Sequence, residues 1–195
     1  MSTTTLCVFC GSRGGPQPDY LEAARAVGHG LARRRWRLVY GGGNVGLMGA
    51  VADAARAGGA HVTGVIPESL VRREVGHDGL DELHVVPSMH VRKQMMAERA
   101  DAFVALPGGL GTFEELFEVW TWRQLGYHQR PLALLNTAGY YDGLIAFLQQ
   151  ATSQGFIDEA QRDLLIVERD ADTLLGRLQD ALHASSPPLR DFSRT

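Results

Sequence analysis

The twelve residues Ala105-Leu106-Pro107-Gly108-Gly109-Leu110-Gly111-Thr112-Phe113-Glu114-Glu115-Leu116 bring together the groups that binding a phosphate requires. Glycines let backbone N–H groups approach an anion closely, and the first turn of a helix offers unpaired N–H donors at the positive end of its dipole. An apolar run from Phe103 to Leu106 stops at the Pro-Gly-Gly turn, and an amphipathic stretch opens at Phe113, so the glycines mark a handover from strand to helix. Thr112-Phe113-Glu114-Glu115 also spells a capping box, with Thr112 at the N-cap and Glu115 at N3. A cap needs neither the proline nor the three glycines ahead of it. The stretch therefore reads as a phosphate cradle made by Gly108, Gly109, Gly111 and Thr112, with the Glu115 carboxylate close enough to face what the cradle holds.

Two further groups of residues bear on chemistry. Gly41-Gly42-Gly43-Asn44-Val45-Gly46 matches G-x-G-x-x-G between an apolar triplet and an alanine-rich stretch. It follows the second strand rather than the first, and the next strand ends Val65-Ile66-Pro67, with no carboxylate to hold a ribose. It is read as a turn lining a mononucleotide site, with Gly42 and Gly43 as contacts and Ser12 as the matching contact from the first turn. Met89-His90-Val91-Arg92-Lys93 precedes the cradle strand in an otherwise apolar helix, which can turn one cation toward an anion bound there. Arginine suits that role through its fixed fork of donors. No metal site is expected, because the seven histidines are scattered without an H-x-x-x-H pair.

These residues must be placed by alternating strands and helices. Apolar runs at Leu6–Cys10, Leu38–Tyr40, His61–Ile66, Leu83–Val86, Phe103–Leu106, Leu132–Leu135 and Leu164–Val167 read as strands. Helices are expected over 18–35, from after Gly49 to about 57, 89–100, 113–125, 141–153 and 171–182, and Pro67 to Gly79 as irregular. The alternation predicts an α/β, doubly wound, mostly parallel Rossmann-like sheet in one domain over 1–184, with a loose tail at 185–195. In such sheets ligands bind at the carboxyl ends of the strands, where three glycine-rich turns fall: Gly11–Gly15, Gly41–Gly49 and Gly108–Gly111.

At 195 residues the chain is long enough to bury one continuous core, and a formal charge of −3 gives no electrostatic footprint for nucleic acid. No apolar run approaches the roughly 20 residues of a spanning helix, and Met1 to Thr5 lacks the regions of a signal peptide, so no membrane partner and a cytoplasmic location are expected. Cys7 and Cys10 fall inside the first strand, outside the contexts of a redox or zinc C-x-x-C, and read as buried free thiols.

Pro107 to Glu115, with the Arg92-Lys93 pair upstream and Gly41 to Gly49 before it, resembles the Lonely Guy family of cytokinin-activating phosphoribohydrolases of plants and bacteria. Trp120 to His128 and Leu135 to Tyr141 resemble the same pattern. The resemblance implies hydrolysis of the N-glycosidic bond of a nucleoside 5′-monophosphate, such as an N6-modified AMP, to free base and ribose 5-phosphate, without a cofactor. It implies Arg92 and Glu115 as the catalytic pair. Glu74, Lys93, the run Gly108 to Thr112, and Thr121 would bind the nucleotide. Arg13 and Leu110 depart from the pattern, standing where a second serine and an aromatic are often found. A general nucleoside-monophosphate nucleosidase and a non-catalytic AMP sensor remain as alternatives. Relatives of the family are often labelled lysine decarboxylases. A pyridoxal-phosphate enzyme needs a Schiff-base lysine, and Lys93 is the only lysine in the chain. A homodimer is expected, partly from the resemblance and partly from Phe117, Trp120 and Trp122, which equally suit a core.

Overall fold

The computed structural model describes residues 3–74, 76, 77 and 79–184, without the side chains of Arg72, Arg73 and Glu74. Seven strands, β1 Thr5–Phe9, β2 Arg37–Tyr40, β3 Val62–Pro67, β4 Glu82–Val86, β5 Ala102–Ala105, β6 Leu132–Leu135 and β7 Leu165–Glu168, form one sheet in the order β4-β3-β2-β1-β5-β6-β7. Every pairing is parallel, rather than mostly so. Parallel strands need helical crossovers on both faces, so the central strands are apolar on both sides. β1 shows the consequence, sending Leu6 and Val8 to one core and Cys7 and Phe9 to the other. Both cysteines are free, and burial pushes the Cys7 thiol well above its ordinary pKa.

The helices are α1 Pro18–Arg33, α2 Gly46–Ala57, α3 Glu68–Glu74, α4 Met89–Arg99, α5 Leu110–Gln124, α6 Asp142–Ser153, α7 Glu159–Arg162 and α8 Ala171–Ala184. α1, α2 and α8 cover the face of Leu6 and Val8, and α4, α5 and α6 the face of Cys7 and Phe9. Pro18 at the first turn starts α1, and the Ser88 hydroxyl caps α4 by accepting from the Val91 N–H at 3.2 Å. α1 lies close against α2, because a Cβ on Gly28 would meet the Val51 carbonyl at 2.5 Å. No described helix is long and apolar enough to cross a membrane.

Three expectations change. Glu68–Glu74, inside the stretch expected to be irregular, is the short helix α3, and α7 was not anticipated; neither is long enough to show a helical period. α5 begins at Leu110 rather than Phe113, with Gly109 at the N-cap and no side-chain cap, so Thr112 and Glu115 form no capping box. The expected tail at 185–195 and the residues Met1 and Ser2 lie outside the described residues.

His128 ties the second core together and carries a pH consequence. Its Nε2 lies 2.9 Å from the Val119 carbonyl and its Nδ1 3.1 Å from the Arg130 N–H, which fixes the neutral tautomer with Nε2–H donating and Nδ1 accepting. Burial, reinforced by Arg130 and Arg123, outweighs the Val119 bond and lowers the His128 pKa to about 4. The unfolded chain takes up the proton near the ordinary value of 6.5, so the stabilisation is complete above that pH and is lost as pH falls toward 4. Urea titrations between pH 7 and pH 4 are expected to show roughly 3 kcal/mol less of this loss in His128→Gln than in wild type.

Candidate active site

The strand order reverses direction between β1 and β5, the switch point at which open α/β sheets bind ligands. There the turns after the two strands touch: the Gly11 N–H donates to the Pro107 carbonyl at 3.0 Å, and a Cβ on Gly11 would lie 3.3 Å from the Gly108 Cα. Between and above them opens a cleft of about 670 Å³. One wall is the first turn, including Ser12 and Arg13, and the other runs from Pro107 to Thr112. The N–H groups of Leu110, Gly111 and Thr112 precede the first intrahelical bond of α5, from the Phe113 N–H to the Gly109 carbonyl, so the helix opens on the cleft with free donors. Thr112 lies over Gly108, where a Cβ would meet its Oγ1 at 2.1 Å.

The second glycine turn behaves differently. The N-terminus of α2 is plugged by protein, because the Leu47 N–H donates to the Gly11 carbonyl at 3.0 Å and Gly46, at φ +59°, abuts the backbone of Ser12 and Arg13. Gly42, at φ +77°, packs on Val65 and Ile66 and accepts from the His77 N–H, and Gly43 pairs with Gly76. Of this triplet Gly41 lines the cleft, while Gly42 and Gly43, expected as substrate contacts, lie outside its lining, against β3 and Gly76.

The cleft floor holds a buried ion pair. Arg92 projects from α4 and Glu115 from the second turn of α5, with Nη1 and Oε1 3.9 Å apart and side chains 7% and 10% exposed. Arg92 is fixed from behind by Nε donating to the Val65 carbonyl and Nη2 to the Gly41 carbonyl, each at 3.0 Å. Lys93 points elsewhere, because consecutive residues on a helix diverge by about 100°. Its ammonium is paired with Glu114 and, at 2.9 Å, with Glu118, away from the cleft lining. Burial works to lower the Lys93 pKa, but the two carboxylates outweigh it and hold the amine above its ordinary range. A protonated amine tied to two carboxylates does not fit a Schiff-base lysine, so the chain's residues do not suit pyridoxal phosphate. Thr121 is exposed and donates to the Phe117 carbonyl at 2.7 Å, also apart from the cleft. Glu74 ends α3, and its side chain is outside the described residues. Among the described residues no His, Cys, Asp and Glu gather as a metal site.

Sequence reasoning missed Tyr140. Its hydroxyl donates to the Gly108 carbonyl at 2.6 Å, and its ring meets Tyr20 edge-on at 5.6 Å, both rings lining the cleft. Tyr141 braces the same segment from within, donating to the Leu106 carbonyl at 2.6 Å. The available signal was the Tyr-Tyr pair after Gly139. Trp120 and Trp122 are core residues, 6% and 9% exposed, and not a free aromatic face.

Residues 48–178 match a family model described as "Possible lysine decarboxylase". The chain is 50% identical over 175 residues to the cytokinin riboside 5′-monophosphate phosphoribohydrolase LOG7 of Arabidopsis thaliana, covering 90% of this chain and 81% of that protein. It is 49% identical over 175 residues to the LOG enzyme of the same name from Oryza sativa subsp. japonica, covering 90% of this chain and 72% of that one. Among solved structures, the molybdenum cofactor binding protein of Rippkaea orientalis superposes with a TM-score of 0.71 at 21% identity, over 92% of this chain and 98% of that one. That likeness is one of fold.

Gly41 tests the geometry without touching a charged residue. A Cβ there would fall 2.0 Å from Arg92 Nη2, so Gly41→Ala must displace a buried guanidinium from the Gly41 and Val65 carbonyls that hold it. The variant is expected to lose stability, by about 1–3 kcal/mol for a charged hydrogen bond disrupted in the interior, and to lose about 10- to 100-fold in turnover of a bound substrate, read by calorimetry and steady-state kinetics.

Proposed function

The chain belongs to the family of cytokinin riboside 5′-monophosphate phosphoribohydrolases, and from that premise we propose that it hydrolyses the N-glycosidic bond of N6-modified adenosine 5′-monophosphates. The observation that carries the reading is the buried Arg92–Glu115 pair on the floor of a cleft into which α5 directs free N–H donors.

Breaking a ribosyl C–N bond passes through an oxocarbenium-like state, which a carboxylate stabilises, while the departing base needs its developing negative charge offset. The α5 N-terminus, through Gly108 to Thr112, would take the 5′-phosphate, and binding energy from that remote group positions the sugar. Glu115 would lie beside C1′, offset the developing positive charge and accept a proton from the attacking water. The C1′–N9 pair of electrons leaves with the base, the water oxygen bonds to C1′, and the water's second proton remains as the hydroxyl of ribose 5-phosphate. The proton taken by Glu115 is passed to the departing base. Arg92 would lie against Glu115 and stabilise charge on the departing group. A pure phosphate binder gains nothing from a carboxylate placed near its anionic ligand, which sets this reading above a sensor.

We further infer a homodimer in the cytoplasm. Leu125, just past the C-terminus of α5, is 62% exposed, and Met89 and Leu110, in the lining of the cleft, are 40% and 85% exposed, an apolar character that a second copy would cover. Free Cys7 and Cys10 suit a reducing compartment. Sedimentation at micromolar concentration is expected to give twice the 21.3 kDa chain mass; a species of 21.3 kDa would refute the dimer.

The activity test follows free base and ribose 5-phosphate by chromatography from AMP and, separately, isopentenyl-AMP, without added metal. Wild type is expected to release base faster from isopentenyl-AMP. Glu115→Gln, which keeps the shape and removes the charge, is expected to be folded and slower by about 100-fold or more. Equal rates on the two nucleotides would make the enzyme a general nucleosidase, and no release from either would overturn hydrolysis.

A further inference from the structure

We propose that Arg13 is a substrate-positioning residue that reads the 5′-phosphate, on the wall of the cleft opposite the α5 N-terminus. The inference deepens the reading above and rests on it. Three charged side chains line the cleft among the described residues: Arg13, Arg92 and Glu115. Arg92 and Glu115 offset one another and are both buried, so the floor contributes no net charge to a dianionic ester. Arg13 is exposed, lines the same cavity and forms no ion pair with a described carboxylate. It is the group that turns the cleft cationic.

Its backbone is held where a clamp needs to be held. Arg13 follows the contact between Gly11 and Pro107 by two residues, and Gly46 presses on its N–H, where a Cβ would come within 2.5 Å. The backbone is therefore packed in place at the sheet edge while the side chain is exposed. A fork of donors there complements the Leu110, Gly111 and Thr112 N–H groups across the switch point, so that a phosphate is gripped from two sides. Because Arg13 acts on the phosphate and not on C1′, its contribution belongs to binding rather than to the chemical step.

The test compares wild type, Arg13→Ala and Arg13→Lys by steady-state kinetics on isopentenyl-AMP and by calorimetric binding of ribose 5-phosphate. For Arg13→Ala, KM and the ribose 5-phosphate Kd are each expected to rise about 10- to 100-fold with kcat within about threefold, the loss of a charge-assisted hydrogen bond. Arg13→Lys is expected to recover part of that loss, since charge is kept and the fork is not. Binding of free adenine, which carries no phosphate, should be unchanged in both variants. A ribose 5-phosphate Kd within twofold of wild type in Arg13→Ala would overturn the proposal, as would a wild type that binds no ribose 5-phosphate. If wild type binds ribose 5-phosphate through Arg13 yet hydrolyses no nucleotide, the proposal stands and the hydrolase reading fails.

Discussion

A guanidinium taken out of water costs several kcal/mol unless every side of it is answered, and the site is built around answering Arg92. The Val65 and Gly41 carbonyls accept two of its donors and Glu115 lies against a third nitrogen. Each partner comes from a different element: the end of β3, the turn after β2, and the second turn of α5. The parallel register that aligns the ends of those strands is thus also what assembles the cation's partners. Gly41 must be bare because the guanidinium occupies the space of its Cβ. A charge that anchors itself to the sheet from behind presents a fixed face to the cleft, which is what a group stabilising a transition state requires.

The two helix N-termini at the cleft show how one local pattern serves opposite ends. Both α2 and α5 begin at glycine-rich turns. The Leu47 N–H of α2 meets the Gly11 carbonyl, so this terminus holds the first turn of the chain in place. The first donors of α5 meet no protein acceptor in their own helix. The plugged terminus fixes the wall and the open one faces the ligand.

Much of this was legible beforehand. Apolar runs revealed the strands, most plainly the central ones that are buried on both faces, and Arg92, Glu115 and the Gly108–Thr112 cradle stood out as candidates from their residue types. What failed did so for physical reasons. Gly109 and Gly111 have poor helix propensity and concealed that α5 starts at Leu110, which made Thr112 look like a cap. The glycines of Gly41-Gly42-Gly43 look alike in sequence, yet one admits Arg92, one turns at positive φ and one pairs with Gly76. Lys93 adjoins Arg92 in the chain but lies around the helix from it, toward Glu114 and Glu118. Tyr140 acts across 32 residues of sequence, and no local pattern encodes such a contact.

That bond from Tyr140 to Gly108 has a bearing on how the protein comes into being. The cleft is closed by links that span long stretches of chain: Gly11 to Pro107, Gly41 to Arg92, and the Gly108 turn to a tyrosine beyond β6. During synthesis the first two can form once α4 and β5 have left the ribosome, but the cradle is braced only after Tyr140 and Tyr141 have emerged and β6 has paired. The bracing of the cradle is thus completed late in synthesis, after Arg92 and Glu115 have emerged.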